Sequence, residues 1–162
     1  MEKDKINLLI VDDEEQFLNS ISKSLELRDF DVIAVNRGEK AIEAARKNPI
    51  DVALVDLKMP GINGEETLKA LKAEHPWMEV IILTGHGTID SAAECIKGGA
   101  HSYLQKPCNL DQILEGLKNA YKKKVMSKKK IEENKMDELL KLSISSSPLG
   151  ILRKLREMDK DS

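Results

Sequence analysis

The stretch LLIVDDEE, Leu8 to Glu15, sets four apolar strand formers directly against four consecutive carboxylates. Read locally, it is a buried strand running into a helix start. Asp13 would be the N-cap, and Glu14 and Glu15 in the first turn would meet the unpaired amides and the positive end of the helix dipole. Capping accounts for the glutamates better than for Asp12. The deciding question is whether other strand ends aim polar groups at the same place.

Outward from that stretch, short apolar runs alternate with helical spacings. The runs INLLIV (6–11), DVIAV (31–35), DVALVD (51–56), EVIILT (79–84) and HSYLQ (101–105) are predicted strands, mostly too continuous in apolarity to leave one face wet. Between them Phe17, Ile21 and Leu25 recur at a spacing of four, Ala41, Ala44 and Ala45 do so more weakly, Leu68, Leu71 and Lys72 end a third helix, and Ala92, Ala93 and Ile96 mark a fourth. Pro49, Pro60-Gly61, Asn63-Gly64 and Gly98-Gly99 supply the punctuation. Five strands alternating with helices imply an α/β domain, a doubly wound parallel sheet, because right-handed crossovers lay each helix over the sheet. The common five-stranded order is 2-1-3-4-5, with ligands beyond the carboxyl ends of the strands, in the crevice between strands 1 and 3.

Composition narrows the classes. A chain of 162 residues with 41% hydrophobic content buries one ordinary core, so one domain plus an appendage is expected. No apolar run approaches the roughly 18 residues of a membrane helix, and MEKDKIN lacks the apolar region of a signal peptide, so a cytoplasmic protein with no membrane role is expected. Cys95 and Cys108 form no CxxC pair and read as reduced, structural residues. The net charge of -2 conceals a split: residues 1–117 carry 13 Lys and Arg against 21 Asp and Glu, whereas residues 118–162 carry 13 against 7. The densest basic run, YKKKVMSKKK (121–130), is read as a solvated helix face, with nucleic-acid or partner contact as the alternative.

The strand ends do share their chemistry. Strand 1 ends in Asp12-Asp13, strand 3 in Asp56, strand 4 in Thr84-Gly85, and strand 5 is followed by Lys106-Pro107. Each alone is a turn, cap or surface residue; together, at one edge of one sheet, they are hard to assign to capping. Three clustered carboxylates need a compensating cation, and an all-oxygen donor set without His or Cys suits Mg²⁺ or Mn²⁺. Such an ion leaves positions for phosphoryl oxygens, so one carboxylate can attack phosphorus while the others hold the metal, with Lys106 and the Thr84 hydroxyl on further phosphoryl oxygens.

DDEE after strand 1, VDLKMPGINGEE around strand 3 and LTGHGTIDSAAECIKGGAHSYLQKP across strands 4 and 5 resemble the receiver domain of two-component response regulators, over about residues 5–122. The resemblance implies a flavodoxin-like fold and a phospho-accepting switch rather than an enzyme: Asp56 as acceptor, Mg²⁺ on Asp12, Asp13, Asp56 and the Lys58 carbonyl, and Thr84 and Lys106 on the phosphoryl group. It also implies a histidine kinase or phosphotransfer protein as donor and a homodimer or an unidentified downstream protein as output. Tyr103, three residues before Lys106, is where similar receivers place an aromatic partner of the threonine. TGHGTID looks like receivers of the nitrogen-regulator type, yet GxxxxGK[ST], the phosphate loop of their ATPase, is absent here. His86 is either an exposed loop residue or a bias on water attack; His75 and His101 show no metal spacing, and Trp77 is expected at the opposite sheet edge.

The domain division expected is 1–122 for the receiver and 123–162 for a basic helical tail. A helix from Leu110 should continue to about Leu142, the Ser-rich stretch 143–147 should end it, and Ser147-Pro148 should open a short second helix bearing Ile151, Leu152, Leu155 and Met158. Two other functions remain in view. A Mg²⁺-dependent phosphohydrolase would use an aspartyl-phosphate, but such enzymes put the nucleophile in a DxD motif after strand 1. A DNA-binding regulator would use the lysine run, but no helix-turn-helix is recognisable, which disfavours nucleic acid.

Overall fold

The computed structural model describes residues 5–145 and Arg156. Strands β1 (Ile6–Val11), β2 (Phe30–Val35), β3 (Val52–Val55), β4 (Glu79–Thr84) and β5 (Ser102–Gln105) alternate with helices α1 (Glu15–Glu26), α2 (Gly38–Lys47), α3 (Gly64–Glu74), α4 (Ile89–Lys97) and α5 (Leu110–Ser145). The sheet is parallel throughout, in the order β2-β1-β3-β4-β5. The expected α/β doubly wound architecture is therefore the one observed.

Alternation along the strands divides the core into two layers, since successive side chains leave opposite faces of a strand. Leu9, Val11, Ala53, Val55, Val80 and Ile82 pack with Ala41, Ala45, Leu68, Leu71 and Cys95 of α2, α3 and α4. Leu8, Ile10, Val52, Leu54, Ile81 and Leu83 pack with Leu18, Ile21, Leu25, Ile113 and Leu117 of α1 and α5. The reversal of winding thus falls at β1, and the crevice opens between β1 and β3. The pairing ladder continues one residue past the strands: Asp12 N–H donates to Val35 O (3.1 Å), Asp56 N–H to Val11 O (2.9 Å) and Lys106 N–H to Thr84 O (2.9 Å). Those bonds hold three of the candidate residues at one edge.

Several local expectations are corrected. The N-cap of α1 is Glu14, not Asp13, and its side chain makes no capping bond; Asp12 Oδ1 instead accepts the Glu14 N–H at 2.9 Å. On α1 the innermost residues are Leu18, Ile21 and Leu25, with Phe17 half-buried beside them. On α4 only Cys95 is fully buried while Ala93 and Ile96 are exposed, because the nine-residue helix lays the Ala92–Cys95 side on the sheet. Cys95 and Cys108 are free thiols. Helix α5 runs on through Ser145, so the first serines of the Ser-rich stretch are helical, a residue type only mildly unfavourable inside a helix. The rest of that stretch and the helix expected after Ser147-Pro148 lie outside the described residues.

The chain forms two compact units, Met1–Lys124 and Val125–Ser162; the sequence-based division falls two residues earlier, after Lys122. Within the first unit the basic run begins at an acidic partner surface. Lys123 Nζ lies 3.8 Å from the buried Glu79 carboxylate, which also faces His101 Nδ1 at 3.8 Å, and Lys124 Nζ bonds Asp51. The other Asp51 oxygen accepts the Asn7 N–H at 2.8 Å. Lys123 and Lys124 of the run are thus engaged with the amino-terminal edge of the sheet. No described helix is long and apolar enough to cross a membrane.

Leu117 is 0% exposed in the α1–α5 layer, whereas Leu27 is 84% exposed at the end of α1. Leu117→Ala should cost about 2–5 kcal/mol of stability, and Leu27→Ala less than about 0.5 kcal/mol. Urea unfolding of the three proteins checks the difference.

Candidate phosphoryl and metal site

The carboxylates of Asp12, Asp13 and Asp56 each offer an oxygen within 4.8 Å of the others. Asp12 and Asp56 are each 2% exposed, and Asp13 is exposed. Asp56 Oδ1 is buried without a hydrogen-bond partner. Burial pushes the Asp56 carboxyl above its ordinary range; the Thr84 hydroxyl and the Lys106 ammonium pull it back, and the Asp12 and Asp13 charges push it further up. A buried acceptor left unpaired costs about 1–3 kcal/mol, so the site is built to receive something positive or protic. A hard divalent cation fits that donor set: oxygen only, two buried carboxylates and one open to water.

Lys106 is not on Asp56. Its Nζ donates to Asp12 Oδ2 at 2.6 Å, lies 3.6 Å from Glu14 Oε1 and sits 4.1 Å from the centroid of the Phe17 ring. Burial draws the ammonium pKa down, but the Asp12 hydrogen bond and the charges of Asp12, Asp56 and Glu14 outweigh it and hold it above its ordinary value. Sequence reading placed Lys106 at the site and missed both Phe17 as its cation–π partner and Glu14 as its second carboxylate. The helical spacing that marked Phe17 as core is the same spacing that aims it at residue 106.

Thr84 is fully buried, and its Oγ1 accepts the His86 N–H at 3.1 Å. The His86 side chain is exposed. Helix α4 is capped from its own sequence, by the reciprocal Thr88 and Ser91 pair, which leaves Thr84 unused for capping. Tyr103 is half-buried, with a hydroxyl that has no hydrogen-bond partner. That hydroxyl lies so close over Gly87 that a Cβ there would stand 1.2 Å from it; only glycine admits the ring. Lys58 lines a cleft of about 400 Å³ together with Asp13, Glu14, Met59, Pro60 and His86. Its side chain is exposed. Asp12, Asp13 and Asp56 thus meet at one edge with Lys106 on Asp12, while Tyr103 lies over Gly87 and Lys58 enters from the β3–α3 loop.

The family model described as the response regulator receiver domain matches residues 8–118. The chain belongs to the response regulator receiver family. It is 36% identical over 118 residues, 72% of its length, to an NtrX-like response regulator of Rickettsia felis, of which it covers 25%. A receiver domain from Clostridium thermocellum superposes with a TM-score of 0.71 at 34% identity, covering 75% of this chain and 98% of that one. The beryllofluoride-activated NtrC4 receiver domain dimer does so with a TM-score of 0.70 at 30% identity, covering 73% and 98%. The chain spans about a quarter of the length of the curated relatives it matches. As a receiver it is a phospho-accepting regulatory domain of two-component signalling, and neither the phosphohydrolase nor the DNA-binding reading is favoured.

The raised Asp56 pKa fixes a pH dependence. A carboxyl whose folded pKa lies above its unfolded value, near about 3.9, is no burden while protonated and subtracts stability as pH rises through the folded pKa. Asp56→Asn should therefore melt above wild type at pH 7, and the gap should close near pH 3. Thermal melts across that range check it, and no gap at pH 7 would contradict the burial argument.

Proposed function

We propose that Asp56 is the phospho-acceptor of this receiver, that Asp12, Asp13, Asp56 and the Lys58 carbonyl hold Mg²⁺ or, alternatively, Mn²⁺, and that Thr84 and Lys106 contact the phosphoryl group. The observation that carries this reading is the buried, unpartnered Asp56 Oδ1 within reach of two further carboxylates. When bound, the cation supplies charge neutralisation for the phosphoryl oxygens. Asp56 attacks phosphorus: the carboxylate O–P bond forms as the P–N bond of a donor phosphohistidine breaks, and the imidazole leaves. Asp12, which accepts the Lys106 ammonium, would hold the ion, and Lys106, packed against the Phe17 ring, would then neutralise a phosphoryl oxygen. The Thr84 hydroxyl, whose oxygen accepts the His86 amide, donates to another oxygen.

The donor is a histidine kinase or a phosphotransfer protein, met in the cytoplasm. As a receiver this chain turns over no substrate but its own phosphoryl group. Its output is a rearranged protein-binding face, with Thr84 and Tyr103 as the switch pair. A homodimer is one form of that output, supported by the likeness to the NtrC4 receiver dimer at 30% identity; a downstream protein is the other. We assign residues 1–122 to the receiver and 123–162 to a basic tail, whose described part is helical as far as Ser145.

Incubation with acetyl phosphate and Mg²⁺ should add one phosphoryl group, read by intact mass spectrometry. The gain should vanish with a chelator and in Asp56→Asn; an undiminished gain in that variant sinks the assignment. Beryllofluoride with Mg²⁺ should shift the sedimentation coefficient of wild type toward a dimer and leave Thr84→Ala unmoved. Identical sedimentation of wild type with and without beryllofluoride would leave a downstream protein as the output.

A further inference from the structure

The β3–α3 loop, residues 56–63, brings Lys58 to the acid site, and its outer side is gripped by the start of α2. Glu39, in the first turn of α2, accepts the Ile62 N–H on Oε1 at 3.0 Å. Arg37 Nε lies 3.6 Å from Glu39 Oε2. Two glycines permit this approach. Gly61 has φ +81°, and a Cβ there would stand 2.4 Å from Glu39 Oε1 and 2.9 Å from Arg37 Nη2. At Gly38 a Cβ would meet Thr67 Oγ1 at 2.2 Å and Ile62 Cγ1 at 2.6 Å. On the other flank the Gly64 N–H donates to Leu57 O at 2.8 Å. Lys58, Met59 and Pro60, which line the cleft with Asp13, are thus suspended between two fixed points: Leu57–Gly64 on one side and Glu39–Ile62 on the other.

Sequence reading would score Glu39 as an ordinary acidic residue in a helix first turn, since its own helix amide and the dipole suffice for it. The geometry goes further. An acid whose role was only to cap α2 has no reason to hold an amide 23 positions away in the loop that lines the metal cleft. With half of its side chain exposed, the latch adds little to global stability. What it fixes is where the loop backbone lies, and a carbonyl ligand has no rotamer of its own: it goes where its loop goes.

We infer that Glu39 is a positioning residue for the divalent cation, latching the β3–α3 loop through the Ile62 amide so that the Lys58 carbonyl is presented to the ion held by Asp12, Asp13 and Asp56. The inference rests on the metal reading proposed above and adds a control over affinity from outside the acid cluster. By linkage the coupling is reciprocal: a tighter loop binds the ion better, and the bound ion tightens the latch.

Titration calorimetry with MgCl₂ on the full chain tests it. Wild type must bind first; failure there refutes the metal reading itself and not the latch alone. Glu39→Ala should weaken Mg²⁺ by about tenfold, the low end of what loss of an outer support costs a metal site, with little change in melting temperature without Mg²⁺. Glu39→Gln, which keeps an acceptor oxygen for the Ile62 amide, should retain most of the affinity. Glu43→Ala, which breaks only the exposed pair with Lys47 on the same helix, should bind as wild type does. Wild-type affinity in Glu39→Ala, or an equal loss in Glu43→Ala, overturns the inference. Should Glu39→Ala fail to fold, amide exchange on wild type decides: Mg²⁺ should slow exchange at Ile62, and an unchanged rate there overturns the latch.

Discussion

Three carboxylates are held together against their own repulsion, and the rest of the receiver unit is arranged to make that possible. The constraint is applied through the backbone. Asp12 and Asp56 continue a parallel ladder whose strands are buried on both faces, so neither residue can swing away without breaking main-chain bonds in a dry environment. Parallel pairing also aligns the strand ends: Val11 lies beside Val55, and Val55 beside Ile82. The apolar layers on both faces therefore supply the force that opposes the electrostatics. A less rigid sheet would relax by letting one acid turn outward.

Among the described residues, relief comes from the Lys106 ammonium, and it comes at Asp12 rather than at Asp56. Lys106 bonds Asp12 and leaves Asp56 Oδ1 without a partner. The polar groups around the site are therefore unevenly satisfied: Asp12 is paired, Thr84 carries an amide, and Asp56 Oδ1 and the Tyr103 hydroxyl have no hydrogen-bond partner. Each unpaired group is a contact waiting for a partner, and a cation with a phosphoryl group would satisfy Asp56 first.

The strands, their order and the edge where Asp12, Asp13, Asp56, Thr84 and Lys106 gather were legible in the sequence because they depend on local patterns: continuous apolar runs, helical spacing and the rule that places sites beyond strand ends. What was not legible depends on distance across the fold. Nothing in the order of residues couples Phe17 to Lys106 or Glu39 to Ile62, and both partnerships form between elements brought together only by the crossover connections. The N-cap of α1 differs for a related reason: Asp13 suits a cap by type, but the helix begins at Glu15 and Asp12 takes the Glu14 amide. The inward face of α4 was misjudged because nine residues give too few turns for spacing to separate Ala92 and Cys95 from Ala93 and Ile96.

Lys123 and Lys124 divide the part of helix α5 within the receiver unit into two unlike stretches. Near Leu110 it leaves the acid edge, and through Ile113, Leu117 and Ala120 it is seated on apolar side chains. By Lys123 and Lys124 it has crossed to the opposite edge of the sheet, where Glu79 and Asp51 receive it by charge. Apolar contact is not weakened by charge screening, whereas pairs such as Lys123–Glu79, with the lysine more than half exposed, weaken as counter-ions crowd in. The two stretches of one helix therefore answer differently to added salt: rising ionic strength weakens the exposed Lys123 pair, while the stretch beside Lys106 stays seated on its apolar contacts.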